Sequence, residues 1–419
     1  MKMLFLIASK SAWARRGSLF LAILSIAISM TLLLGVDMTR KQAKSSFLNT
    51  ISQTDLIVGA RSGPVNLLLY SVFRLGNATN NISYDAYKSL QADERVKWTI
   101  PLSLGDSHKG FRVLGTNQDY FRFYRYGDKK ALSILKGKQF DDLYDAVIGF
   151  EVAKKLGYEL DQSIILSHGI ISTDFAAHDD KPFRVVGVLA PTGTPVDRTV
   201  HVSLEAIEAI HVDWRSGARS RLKIDAEQAR KFGLTPKNLT AVMVGLNKRI
   251  QTFVVQRDVN NNENEALLAI IPGTTLSQLW RTLGHFETIL LVVSSLVLVA
   301  GLLGMLTMLL STLNERRREM AVLRAVGAHA YQILLLFIIE AFLMVFLGCL
   351  LSIGLVFILM QIAQPILLDL YGFNLIMKGL DIQQWILLFS VLLISSLFSL
   401  VPGFIAYKRS LQDGLTVRL

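Results

Sequence analysis

Residues 285–311 and 331–360 are apolar runs longer than the roughly 20 residues that a helix needs to cross a bilayer. Backbone in hydrocarbon must satisfy its own polar groups, so both are predicted to be membrane-spanning helices. Ser18 to Val36 adds a charge-free run and 382–404 another, making four spans. The first run has a basic flank, as a cleaved signal peptide would. Its length, and the lack of a small-x-small site after it, favour an uncleaved span with its N-terminus inside. Residues 1–17, mixed apolar and basic, are expected to form a cytoplasmic interfacial helix.

At 51% hydrophobic and 18% charged residues, the chain is too apolar for an ordinary soluble protein, yet it carries a soluble part. That part is 37–284, which holds mixed charge, most of the prolines and many short β-type runs. The net charge of +11 would fit nucleic acid, but its placement argues otherwise. Lys2, Lys10, Arg15, Arg16, Arg316, Arg317, Arg318, Arg324, Lys408, Arg409 and Arg418 lie beside spans, opposed by Glu315, Glu319 and Asp413. An excess of about +8 on one membrane face is a topology signal rather than a nucleic-acid footprint. Four crossings place both termini, the segment 312–330 and the tail 405–419 in the cytoplasm. Domain 37–284 and the short loop 361–381 then lie outside. Trp280 and Trp385 fall where aromatic anchors are common. Cys349 is the one cysteine, so no intrachain disulfide or cysteine metal site is possible.

Between spans two and three stands Asn314-Glu-Arg-Arg-Arg-Glu-Met-Ala-Val-Leu-Arg-Ala-Val-Gly327. Its residues favour helix, with Asn314 as N-cap and Gly327 as stop. Glu315 and Glu319 share a face, beside a stripe of Met320, Leu323 and Val326. The positive-inside rule explains the arginines but not the two glutamates or the Leu-Arg-Ala-Val-Gly ending. Spacing alone leaves a docking helix and a solvated loop both open.

This string closely resembles the coupling-helix signature of the MacB-type (type VII) ABC transporter permeases, the group that includes FtsX and the LolC/LolE proteins. Thr54-Asp-Leu-Ile-Val-Gly59, the block Leu135-Lys-Gly-Lys-Gln-Phe140 with Ala146 to Gly157, and the tail Pro402 to Leu415 resemble the same family. The resemblance implies an α-helical membrane protein of four transmembrane helices, with a large α+β extracytoplasmic domain inserted between the first two and a subdomain over about 135–225. It also implies a groove on a cytoplasmic ATPase that receives Glu315, Arg316, Arg318, Glu319, Leu323, Arg324 and Gly327.

The expected elements of the outer domain are a helix from Ser45 leading into a strand by Val58, a loop at Arg61 to Asn66 and a helix at Tyr84 to Ala92. Strands are expected at Val96 to Leu102, Gly110 to Gly115, Ile164 to Leu166, Phe183 to Leu189, Val200 to Val202 and Leu222 to Ile224. Helices are expected over Ala226 to Phe232, Asn238 to Asn261 and Leu267 to Trp280.

The chain has no phosphate loop, because Gly137-Lys138 is followed by Gln139 and lacks the upstream glycine. No triad or carboxylate pair can be argued from spacing, so a non-catalytic subunit is expected, with ATP and magnesium held by a partner. Glu340 lies nine residues into the third span. An interhelical hydrogen bond or a group snorkelling to the cytoplasmic end accounts for it as well as coupling across a dimer. His168, His178, His201 and His211 fall in one stretch, with Asp179 and Asp180 beside His178. A zinc site from His168, His178, Asp179 and His201 is one reading, and surface or structural histidines are the other. Pro191, Thr192, Gly193, Thr194, Pro195, Asp197 and Arg198 form a stiff loop, read either as a local Asp–Arg pair or as a tip that touches a partner.

The function expected is that of the permease subunit of a MacB-type ABC complex in the bacterial inner membrane. It would couple a partner's ATP hydrolysis to movement of the outer domain, for export or extraction of a lipoprotein, lipid, peptide or toxic small molecule. The partners expected are an ATPase dimer, a second permease copy or paralogue, a periplasmic protein or substrate, and lipid, with no nucleic acid. An FtsX-like signalling protein and a metal-handling membrane component are the alternatives.

Overall fold

The computed structural model describes residues 16–169, 178–215, 218–219, 224–315, 320–323, 327–371 and 379–412. These form two units, one built from the apolar helices and one from residues 43–283. The expected interfacial helix over 1–17 lies almost wholly outside the described residues.

In the first unit, helix α1 spans Arg16–Leu48. Four described helices are long and apolar enough to cross a membrane. Ile26, Met30 and Leu34 of α1 are buried against Leu302, Met305 and Leu309, and against Phe337, Ala341 and Val345. Gly301 lies beside Ser29 and Gly348 beside Ile26, where missing side chains let helices approach closely; Gly304 and Gly354 face open space. A polar knot joins α1 to the start of the last span: Lys41 Nζ donates to Asp381 at 2.7 Å and Gln384 Nε2 donates to Asp37 at 3.0 Å. Asp381 also caps the last span in a capping box with Gln384.

In the second unit the main sheet comprises β1 (Leu56–Ala60), β2 (Val96–His108), β3 (Phe111–Thr116), β4 (Ile134–Gly137), β5 (Asp145–Ile148), β6 (Ser163–Ile164), β7 (Ser167–His168), β8 (Phe183–Leu189), β9 (Thr199–Ser203), β10 (Ala241–Leu246) and β11 (Leu267–Ile270). Their order is β11-β1-β10-β2-β3-β9-β5-β8-β4, with β7 on β2 and β6 on β8. The long strand β2 pairs with β10 over its first half and with β3 over its second. The sheet therefore runs without a break into the region read as an inserted subdomain, and β2 and β3 contribute to it. Helices α2 (Pro64–Val72), α3 (Tyr84–Ala92), α4 (Phe150–Leu156), α5 (Leu204–His211) and α6 (Thr252–Asn260) accompany these strands.

Several local expectations are corrected. Ala241–Leu246, expected as helix, is a strand buried at every residue between β1 and β2. A continuous apolar run is what a fully covered strand shows, and periodicity cannot separate it from a buried helix. Leu267–Ile270 is likewise a strand; helix α7 (Pro272–Glu315) starts after it at a proline suited to a first turn. The loop expected at Arg61 to Asn66 becomes a helix at Pro64 for the same reason. Helix α8 spans Ala330–Tyr371 and α9 Ile382–Phe398. A turn at Ser399 separates α9 from α10 (Leu400–Gln412), so Pro402 sits in a first turn rather than ending a span. The strand expected at Leu222 to Ile224 falls largely outside the described residues.

Candidate functional site

Asp106 sits at an irregularity in β2. Between Leu104 and Ser107 the register with β3 shifts, and the strand turns to pair with β7, setting His168 opposite Asp106. The Gly169 amide donates to the Gly105 carbonyl at 3.1 Å, and Ser107 Oγ donates to the Gly169 carbonyl, which holds β7 in place. The Nδ1 of His168 lies 2.9 Å from Asp106 Oδ1 and 3.1 Å from His211 Nε2, and His211 Nε2 lies 3.6 Å from Asp106 Oδ1. His211 ends α5, where its Nδ1 lies 2.7 Å from the Ile207 carbonyl oxygen and donates to it, leaving Nε2 turned toward Asp106. The ring of His178 is 5.2 Å from that of His211 and 6.4 Å from that of His168. Asp106 and His178 are buried, whereas the His168 side chain is 47% exposed.

Burial works to raise the Asp106 carboxyl, but hydrogen bonds with His168 and His211 outweigh it and hold the group well below the usual carboxylate range. Burial opposes charge on His211 too, and Asp106 prevails, raising that imidazole. His178 is pushed down to about 4, first by burial and then by the nearby His211. Lys181, fully buried, donates to Asp213 and to Asp180, each at 2.8 Å, and so ties the chain after His178 to the chain after His211. Removing one partner of such a buried pair costs about 3–5 kcal/mol.

Two of the four expected metal ligands, His168 and His178, come together, while His201 is elsewhere. It is buried on β9 beside Tyr120, with Nδ1 3.2 Å from the Val147 carbonyl oxygen. Asp106 and His211 stand in the group instead, and Asp179 does not. Asp106 was missed because 62 residues separate it from His168 and only the bulge and sheet register join them.

Of the coupling segment, Glu315 closes α7, while Arg316, Arg318, Glu319 and Arg324 lie outside the described residues. Met320 is buried with the helical core and Leu323 is half-buried. Gly327 adopts φ +94°, and the Ala328 amide donates to the Leu323 carbonyl at 2.9 Å. A glycine in this left-handed conformation is a common stop for a chain leaving a helix.

Residues 19–261 match the MacB-like periplasmic core domain, and residues 291–412 match the FtsX-like permease C-terminal domain. The chain belongs to the MacB/FtsX-like permease family. The macrolide export ATP-binding/permease protein MacB of Shewanella sp. (strain W3-18-1) is 24% identical over 248 residues, 56% of this chain. This chain spans only 36% of that relative's length. The periplasmic region of MacB from Actinobacillus actinomycetemcomitans superposes with a TM-score of 0.34 at 10% identity, over 55% of this chain and 95% of that one. The extracellular domain of the noncanonic ABC-type transporter YknZ from Gram-positive bacteria gives 0.30 at 16%, over 52% and 98%. Family membership rests on the sequence matches.

In this permease Glu340 is half-buried on α8. The loop Pro191 to Arg198 is a packed corner more than a projecting tip: Thr194, Val196 and Asp197 are buried, and only Pro191 is exposed. Asp197 accepts hydrogen bonds from the Thr192 and Gly193 amides at 2.8 and 2.7 Å, and the Arg198 guanidinium lies over the Phe111 ring. Burial nevertheless raises the Asp197 carboxyl, against these bonds. Gly137-Lys138 lies at the β4 edge, where Gly137 at φ +78° leaves room for the Val186 carbonyl of β8.

Proposed function

We propose that this chain is the permease subunit of a MacB-type ABC complex in the bacterial inner membrane, with both termini in the cytoplasm. It transmits ATP hydrolysis by a cytoplasmic ATPase dimer to its periplasmic domain and acts on a lipoprotein, lipid, peptide or toxic small molecule. The observation that carries this reading is the FtsX-like match over 291–412, which contains the ionic segment between two long apolar helices. A second permease copy or a paralogue completes the complex.

The physical basis is mechanical. Within the unit of apolar helices, α7 runs unbroken to Glu315, so a displacement at that end travels along a rod of backbone hydrogen bonds. Charges of both signs on the short segment suit a groove that fixes its orientation, and its apolar stripe supplies contact area. Glu319→Lys combined with Arg324→Glu abolishes co-purification of the ATPase while leaving membrane insertion intact. Normal recovery of the complex by pull-down and mass spectrometry would refute the docking assignment.

A further inference from the structure

Asp106, His168, His178 and His211 each present one donor atom, all within 4.8 Å of one another. We propose that these four side chains bind a divalent transition metal of the zinc class, independently of the transport reading above. Three of the donors form a triangle with sides of 2.9, 3.1 and 3.6 Å. Tetrahedral zinc with ligands at about 2.0–2.1 Å places donor atoms about 3.3–3.4 Å apart, and the triangle's sides bracket that edge. His178, on the segment leading into β8, supplies the fourth corner after a small inward closure.

The donor set points the same way. Three imidazoles and one carboxylate suit zinc and its late first-row neighbours, whereas calcium and magnesium call for six or more oxygens. The Ile207 carbonyl holds the His211 tautomer that aims Nε2 at the metal, as the outer partner of a metal-bound histidine usually does. The buried Lys181–Asp213 pair braces the two chain segments that carry His178 and His211. Buried Asp106 and His178 form the dry floor, and half-exposed His168 is the point of entry. Four protein ligands leave no open position, so the site is of the kind that ties a fold together rather than one that activates water.

The test uses the full-length protein in detergent micelles, purified without a polyhistidine tag, stripped with chelator, equilibrated with zinc chloride and desalted. Elemental analysis is expected to find one zinc per chain. Retention falls by at least about tenfold in His168→Ala and in Asp106→Asn. Without zinc, His168→Ala melts below the wild type, because buried Asp106 loses a hydrogen bond; the readout is the change on adding zinc, a gain of several degrees in the wild type and none in the variant. Cobalt gives the visible bands of a tetrahedral centre in the wild type and not in the variants. No zinc retained by the wild type, or equal retention by both variants, would mean a hydrogen-bonded polar cluster only and would overturn the proposal.

Discussion

Burial bears on the titration of His201 more strongly than on that of His178. The His201 ring is enclosed on β9, and burial, followed by the nearby Arg74 charge, pushes it down to about 3 from 6.5. An unfolded chain takes up this proton near pH 6.5, whereas the folded chain takes it up only near pH 3, so acid favours unfolding across that window. The stability present above pH 6.5 is therefore lost as pH falls, by at most about 1.4 kcal/mol per pH unit. His201→Phe keeps the ring packing against Tyr120 and removes the titrating group. Its melting temperature is expected to fall less steeply than the wild type's between pH 6.5 and 4; parallel curves from calorimetry would exclude this origin. The sequence placed His201 among metal ligands because proximity along the chain was the only guide. The strand's alternation instead sends it into the core.

Among the elements, the glycines of α8 separate a contact from an open surface. A side chain at Gly348 would meet Ile26 Cγ2 at 2.8 Å, while nothing lies within 4 Å of Gly354. Gly348→Leu is expected to cost about 1–3 kcal/mol through overpacking, and Gly354→Leu to be nearly neutral. Thermal inactivation in detergent compares the two, and equal losses would argue against a close α1–α8 crossing. Both glycines looked alike in sequence, since a spacing does not say which helix face meets a neighbour. The strand β10 teaches a related lesson. Its run Ala-Val-Met-Val-Gly-Leu has no polar alternation to mark a strand, because β1 and β2 flank it and both faces are covered. Gly245 there leaves space for the Trp98 ring, a requirement invisible until the two strands pair.

For the whole molecule, the decisive property is which side of the membrane each part occupies. In a Cys349→Ala background, an impermeant maleimide is expected to label Leu135→Cys from the periplasm and to reach Val322→Cys only after lysis; both positions are exposed. Labelling of both from one side would contradict the topology. The four apolar helices and the large domain between the first two were legible because hydrophobic length is a local property of the chain. Phe183–Leu189 and Tyr84–Ala92 were legible too, each bounded by its own turn or cap signals. The sheet order, the bulge that swings Asp106 away from β3 and the meeting of that carboxylate with three histidines were not. They depend on which strands pair across long stretches of chain, and that pairing is set by burial of both sheet faces at once. The sequence by itself determined what enters the membrane and what stays out, because transfer into hydrocarbon is a sum over neighbouring residues. Only the tertiary structure decided which imidazoles share a site, because side chains distant in the chain become neighbours only through the register of the sheet that carries them.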